Sequence, residues 1–310
     1  MPEQTTSPTP AAGVDPVCAE GLTWRHRGKL IVDDVSLSVP AGAVTGFLGA
    51  NGAGKTTTLR LMLGLTSGQG RTSYFGRPLE QWRAPARVVG AVLGGIAGHP
   101  RHTLTKHLRM VAAGVGVPDG RVKQVIERVG LADTADKRLE NLSLGMAQRA
   151  GIAQALLGDP SILILDEPAN GLDPHSIRWL CETLRQLADE GKAVLVSSHL
   201  LAEMQQLADR VIVLARGRVV AQTSIEQLSR IGTEITVQSP RVGELAEPVA
   251  RLGGAFRVLE DSRAKILGIT RFKVGDLAAE RGIPIYWLEE RAPTLEDYYL
   301  SVAEEEFRIS

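Results

Sequence analysis

A mostly parallel α/β sheet, covered by helices on both faces, is the architecture expected of this chain. Three features point to it. Short apolar runs alternate with helix-patterned stretches: Ser161 to Leu165, a helical Pro174 to Glu190 closed by Gly191, Ala193 to Ser197, a helical Leu200 to Ala208, then Asp209 to Leu214. Strands that are apolar at successive positions are buried on both faces, as in parallel sheets. A glycine-rich run, Gly49 to Thr57, follows apolar Val44 to Leu48 and precedes Thr58 to Leu63, which is the order strand, loop, helix. Two apolar runs also end in chemically able residues, Asp166-Glu167 and His199, at the edge where an open α/β sheet holds its ligand.

The elements follow in order. Residues 1–16 are Pro/Thr-rich and read as a disordered tail; without a basic start or an apolar core they are not a secretory signal. Val17 to Gly46 reads as strands, with a turn at Pro40-Ala41-Gly42. Thr66 to Gly70 reads as a loop and Arg87 to Leu93 as a strand. His102 to Asp136 is helical in pattern and interrupted by Pro118-Asp119-Gly120, so a helical subdomain of about residues 95–158 interrupts the strand-rich region. The character changes near Ser229. Strand-like Glu234 to Val237, Phe256 to Leu259, Ala264 to Ile269 and Ile283 to Leu288 alternate with helical Val242 to Leu252, Val274 to Arg281 and Thr294 to Glu305. Residues 229–310 thus form a small accessory α+β domain after a main domain of residues 17–228. VGELA at Val242 and VGDLA at Val274 sit in similar places, either as a repeat of a split β-α-β domain or by coincidence between two amphipathic helices.

Composition narrows the function. Of 310 residues, 35 are Lys or Arg and 35 are Asp or Glu, a formal charge of +0, so no net basic field argues for nucleic acid as a partner. No apolar run reaches the length of a membrane span. Cys18 and Cys181 lack metal-ligand spacing and read as reduced thiols.

The glycine run fits G-x-x-x-x-G-K-[ST], with Gly49, Gly54, Lys55 and Thr56 at the fixed places. Gly49, Ala50, Asn51, Gly52, Ala53, Gly54, Lys55, Thr56 and Thr57 would cradle a nucleotide's phosphates with backbone N–H groups, helped by the positive end of the following helix. Lys55 brings charge to the outer phosphates, and the Thr56 hydroxyl can hold Mg²⁺. Asp166 suits the same Mg²⁺ through a bound water. Glu167 beside it can polarise an attacking water, although Asp-Glu-Pro could also simply cap a strand. His199 at another strand end can contact a terminal phosphate or orient the water. Ser143 is a natural N-cap with anion-binding capacity, for a helix of roughly 20 Å that leads back to the Asp166 strand. That length puts Ser143 far from its own phosphate loop, so a phosphate on Ser143 would belong to a second copy, arranged head to tail.

These pieces, in this order, resemble the ATP-binding subunits of ABC transporters, over roughly Val17 to Leu228. GANGAGKT resembles Walker A, with Ala50 in place of a frequent proline; Leu163 to Pro168, LILDEP, resembles Walker B; Leu142 to Met146, LSLGM, resembles the signature; Ala169 to Asp173 resembles the D-loop, and His199 the switch histidine. Leu144 and Met146 depart from the usual signature glycine and glutamine, as in bacitracin- and daunorubicin-type exporters. Gly94 stands where the Q-loop glutamine is expected. The C-terminal segment Leu295 to Leu300 resembles the small extra domain of the same exporters.

The resemblance implies a P-loop NTPase that binds ATP and Mg²⁺. Glu167 would be its catalytic base, and Lys55 and His199 its other catalytic residues. Gly145 and Ser143 would contact the nucleotide of a second copy. An aromatic ring stacks on adenine in this family; the position falls near Trp24 or His26, and spacing favours His26. The resemblance further implies integral-membrane permease subunits as partners, a peripheral place on the cytoplasmic face of the membrane, and export of an amphipathic antibiotic or lipid-like molecule. A rival reading is a soluble ATPase of this type acting on ribosomes or in regulation. Ribosome-acting relatives usually carry two cassettes per chain and this chain has one; Glu167 and His199 argue against a degenerate regulator.

Overall fold

The computed structural model describes residues 15–230, 234–259, 262–291 and 294–300. They group into two compact units, divided between Gln222 and Thr223, so that the strand Arg218–Ser224, grouped with the first unit, ends two residues past the division.

The first unit is the expected α/β architecture. Its strands are β1 (Val17–His26), β2 (Lys29–Val39), β3 (Ala43–Leu48), β4 (Gln69–Tyr74), β5 (Val89–Leu93), β6 (Ile162–Asp166), β7 (Ala193–Ser198), β8 (Arg210–Ala215) and β9 (Arg218–Ser224). Its helices are α1 (Lys55–Met62), α2 (Leu104–Val115), α3 (Asp119–Arg128), α4 (Leu144–Ala155), α5 (Pro174–Asp189) and α6 (Leu201–Leu207). Six strands form one sheet in the order β5-β6-β7-β3-β8-β9, parallel from β5 through β8. β7 is buried at every position and β3 at all but its first, which is why these strands read as unbroken apolar runs. β8 turns into β9 through Arg216 and Gly217, both at positive φ, the two-residue turn that suits a twisted hairpin.

A second, antiparallel sheet has the order β2-β1-β4. α1 packs between the two sheets, against β1, β2 and β6, and one apolar core joins Val17, Val35, Leu59, Phe47, Ile164 and Leu195. Pro118 precedes α3, so the expected interruption of the helical stretch is the boundary between α2 and α3.

The second unit contains α7 (Ile225–Arg230), β10 (Glu234–Gln238), α8 (Ala246–Arg251), β11 (Ala255–Val258), β12 (Arg263–Leu267), α9 (Arg271–Glu280) and β13 (Trp287–Arg291), and residues 295–300 are helical. Its sheet is antiparallel, in the order β11-β12-β10-β13. The connections β10-α8-β11 and β12-α9-β13 are two β-α-β units interleaved in one sheet. The two similar pentapeptides send Val242 and Leu245, and Val274 and Ala278, into one core with Ile235, Val237 and Ile266.

Three local readings are corrected. Gln69 and Gly70 belong to β4, not a loop; β4 is an edge strand whose one buried residue is Tyr74, so it carries no apolar alternation. The last strand begins at Trp287 and not at Ile283, because Pro284 has no N–H to give to a ladder. β9, which has no fully buried position, and the short α7 are additional to the expected elements. The expected tail lies outside the described residues up to residue 14, and so does the end of the last helix beyond residue 300.

Candidate functional site

The ends of β3, β6 and β7 lie at one edge of the parallel sheet. Leu48 pairs with Ser198, and Leu165 with Val196, so Gly49, Asp166-Glu167 and His199 leave the sheet side by side. Between β3 and α1 the chain makes the glycine loop. Gly54 sits at φ 109°, and a Cβ there would lie 2.8 Å from the Ile31 carbonyl, so only glycine closes the loop without displacement. Gly54 is also the N-cap of α1 and offers no side chain to it. The first amides of α1 are therefore open to an anion.

Lys55 is the first residue of α1 and is buried. Its Nζ donates to the Gly49 carbonyl at 2.6 Å and the Ala50 carbonyl at 3.3 Å, and pairs with Glu167 Oε1 at 3.0 Å. The other carboxylate oxygen of Glu167 lies 2.7 Å from His199 Nδ1. Glu167 sits at φ 47°, a left-handed conformation that costs a side-chain-bearing residue about 1–2 kcal/mol. Burial pushes its carboxyl up, but hydrogen bonds and charge from Lys55 and His199 outweigh this and hold it below the ordinary value.

One residue back, Asp166 Oδ2 accepts from Thr56 Oγ1 at 2.7 Å, and Asp166 Oδ1 accepts from Ser197 Oγ at 2.6 Å. Ser197 Oγ in turn accepts the Glu167 N–H at 2.9 Å. A hydroxyl and a carboxylate brought together, beside a loop that can receive phosphate, are hard oxygen donors of the kind Mg²⁺ takes. No group of three His, Cys, Asp or Glu side chains able to hold a metal ion occurs among the described residues, and Mg²⁺ held by phosphates and water does not need one.

Six residues thus form one network: Lys55, Thr56, Asp166, Glu167, Ser197 and His199. Sequence reasoning named all but Ser197, whose only signal is its place one strand over from Asp166 in the register. The remaining candidates lie elsewhere. His26 is exposed near the end of β1, its ring 5.5 Å from and stacked on that of Trp24, which is packed against the core. Ser143 caps α4, accepting from the Met146 N–H at 3.3 Å. Gly145 lies against the start of α5, where an added Cβ would meet Ser176 Oγ at 2.8 Å. Asp173 caps α5, and its hydrogen bonds from Ser176 hold its carboxyl below the ordinary value. Leu144 is exposed between Ser143 and Gly145. Gly94 takes φ 102° immediately after Leu93, the residue paired with Asp166.

Comparison with known proteins matches residues 32–170 to the ABC transporter family model. The ABC transporter ATP-binding protein YhcH of Bacillus subtilis (strain 168) is 42% identical over 205 residues, 65% of this chain and 67% of that one. The bacitracin transport ATP-binding protein BcrA of Bacillus licheniformis is 32% identical over 295 residues, 91% of this chain and 95% of that one. A solved ATP-binding subunit of an ABC transporter superposes with a TM-score of 0.62 at 27% identity, covering 69% of this chain and 92% of that one.

Proposed function

Because this chain belongs to the ABC transporter ATP-binding proteins, a family that binds and hydrolyses ATP, we propose that it powers an exporter through separate permease subunits. The observation that carries this is the Lys55–Glu167–His199 network at the mouth of the glycine loop. The amides of Gly49 to Thr57 hold the β- and γ-phosphates, and Lys55 moves from Glu167 to the phosphate oxygens. Thr56 directly, and Asp166 through water, would hold Mg²⁺, which would supply positive charge against the phosphates. Glu167, released from Lys55, takes the proton of the attacking water. His199 contacts the terminal phosphate. His26 stacks on adenine, with Trp24 behind it.

Ser143 and Gly145 complete the site of a second copy, so two chains close head to tail over two nucleotides and part after hydrolysis. The described residues include no helix long and apolar enough to cross a membrane, and the permease is assigned to other chains, against which this one lies on the cytoplasmic face. The cargo class, an amphipathic antibiotic or lipid-like molecule, is supported by the match to BcrA over nine-tenths of both chains. Glu167→Gln tests the site. The variant should bind ATP as well as the wild type, lose turnover and accumulate as a nucleotide-bound dimer in size-exclusion chromatography. Wild-type turnover in that variant would remove Glu167 from the chemistry.

A further inference from the structure

Both oxygens of Glu167 are already engaged, which leaves fewer lone pairs for water and a less basic carboxylate. Oε1 is held by Lys55 at 3.0 Å and Oε2 by His199 at 2.7 Å. Phosphate draws Lys55 away, but the His199 ring N–H also needs another acceptor before Glu167 is fully free. The described residues contain one buried carboxylate oxygen without a hydrogen-bond partner, and it is Oε2 of Glu203. Glu203 stands four residues after His199, in the first turn of α6.

A glutamate at the third position of a helix ordinarily reaches back to the N–H of the capping residue. Here that N–H, on Leu200, already donates to Ser198 Oγ at 2.9 Å. The local partner of Glu203 is therefore taken, and its oxygen stays buried and unsatisfied at an energetic cost. Burial pushes the Glu203 carboxyl up, while the charge of His199 opposes that shift, so the two groups are within electrostatic reach. The flanking group on α5 is Cys181, a thiol that burial and the Glu203 charge both push up and which offers no strong donor.

We propose that Glu203 is the positioning residue for His199: it accepts the ring N–H that Glu167 gives up as a nucleotide's terminal phosphate enters. Two carboxylates then serve one imidazole in turn, Glu167 before the phosphate arrives and Glu203 after. The second contact orients the ring toward the phosphate and frees Glu167 for the water. This rests on the reading of Glu167 and His199 given above.

The test is a double-mutant cycle on ATP turnover by the full chain, with Glu203→Ala, His199→Ala and the double variant, alongside nucleotide affinity and Tm. Glu203→Ala should lower kcat by on the order of tenfold, as loss of a positioning contact does, with KM and nucleotide affinity unchanged. Its Tm should not fall, because a buried unpaired carboxylate has been removed. In the His199→Ala background the second substitution should lower kcat no further. Glu203→Gln keeps an acceptor oxygen and should retain more turnover than Glu203→Ala; it carries the same cycle if the alanine variant fails to fold. Full turnover in Glu203→Ala, or effects that multiply in the double variant, would overturn the assignment while leaving the site reading intact. Full turnover in His199→Ala would overturn the site reading itself.

Discussion

Lys55 and Glu167 neutralise one another across 3.0 Å, one at the head of α1 and the other just past the end of β6. The cation assigned to phosphate and the carboxylate assigned to water are thus each other's partners, and phosphate that takes the first releases the second. On the proposed roles, the pair would couple binding to chemistry through one side-chain contact. Its cost is a carboxylate whose proton affinity depends on where Lys55 points.

That dependence can be read by titration. With Lys55 present, the Glu167 carboxyl lies below its ordinary 4.5 despite burial. A carboxyl depressed in the folded state stabilises the fold fully above its unfolded value, and that contribution is lost as the pH falls through the lower folded value. Lys55→Met removes the main opposing group, so burial should raise the Glu167 carboxyl. The wild type should therefore lose stability on acidification below the ordinary carboxylate range, and Lys55→Met should show a shallower loss there. Chemical denaturation at a series of pH values measures both, and parallel curves would show that the pair does not set the carboxyl.

The core beneath the loop makes a separate prediction. Tyr74 is fully buried, and its phenol donates to the Met62 carbonyl at 2.9 Å, at the end of α1. Burial raises the phenol well above its ordinary value, so it stays protonated and able to donate. Tyr74→Phe keeps the ring and strands the carbonyl, at a cost of about 1–3 kcal/mol. Tm should fall accordingly while nucleotide affinity stays unchanged. An unchanged Tm would mean that water reaches the Met62 carbonyl.

Much of this arrangement is legible in the sequence. β3, β6 and β7 announce themselves because burial on both faces leaves no polar alternation, and Gly54, Lys55, Asp166 and His199 sit at fixed offsets from their ends. β4 is silent because only Tyr74 of its six residues is buried; backbone pairing to β1 alone defines it. Pro284 marks the late start of β13, but its effect depends on a ladder the sequence does not display. The left-handed turn of Glu167 is likewise hidden, and the residue's partners Ser197 and Lys55 lie about 30 and 110 positions away. The similarity of VGELA and VGDLA left repeat and coincidence open; the interleaved strand order gives the two segments equivalent places.

Ser197 is the residue sequence reasoning passed over, and its removal should be felt at two neighbours. Its hydroxyl is fully buried, donates to Asp166 Oδ1 at 2.6 Å and accepts the Glu167 N–H at 2.9 Å. One hydroxyl therefore fixes the rotamer of the carboxylate assigned to Mg²⁺ and the backbone of the carboxylate assigned to water. Ser197→Ala leaves the Glu167 N–H unpaired at about 1–3 kcal/mol, and Asp166 keeps only its bond from Thr56. Groups that orient a metal ligand are worth roughly 10–100-fold in metal affinity. The Mg²⁺ concentration that half-saturates ATP turnover should rise by about tenfold in Ser197→Ala. Ser197→Thr should fall between, because its hydroxyl can still bridge but its extra methyl must enter a filled core. Unchanged Mg²⁺ dependence, together with a lowered Tm, would leave Ser197 as a structural hydroxyl and assign the orientation of Asp166 to Thr56 alone.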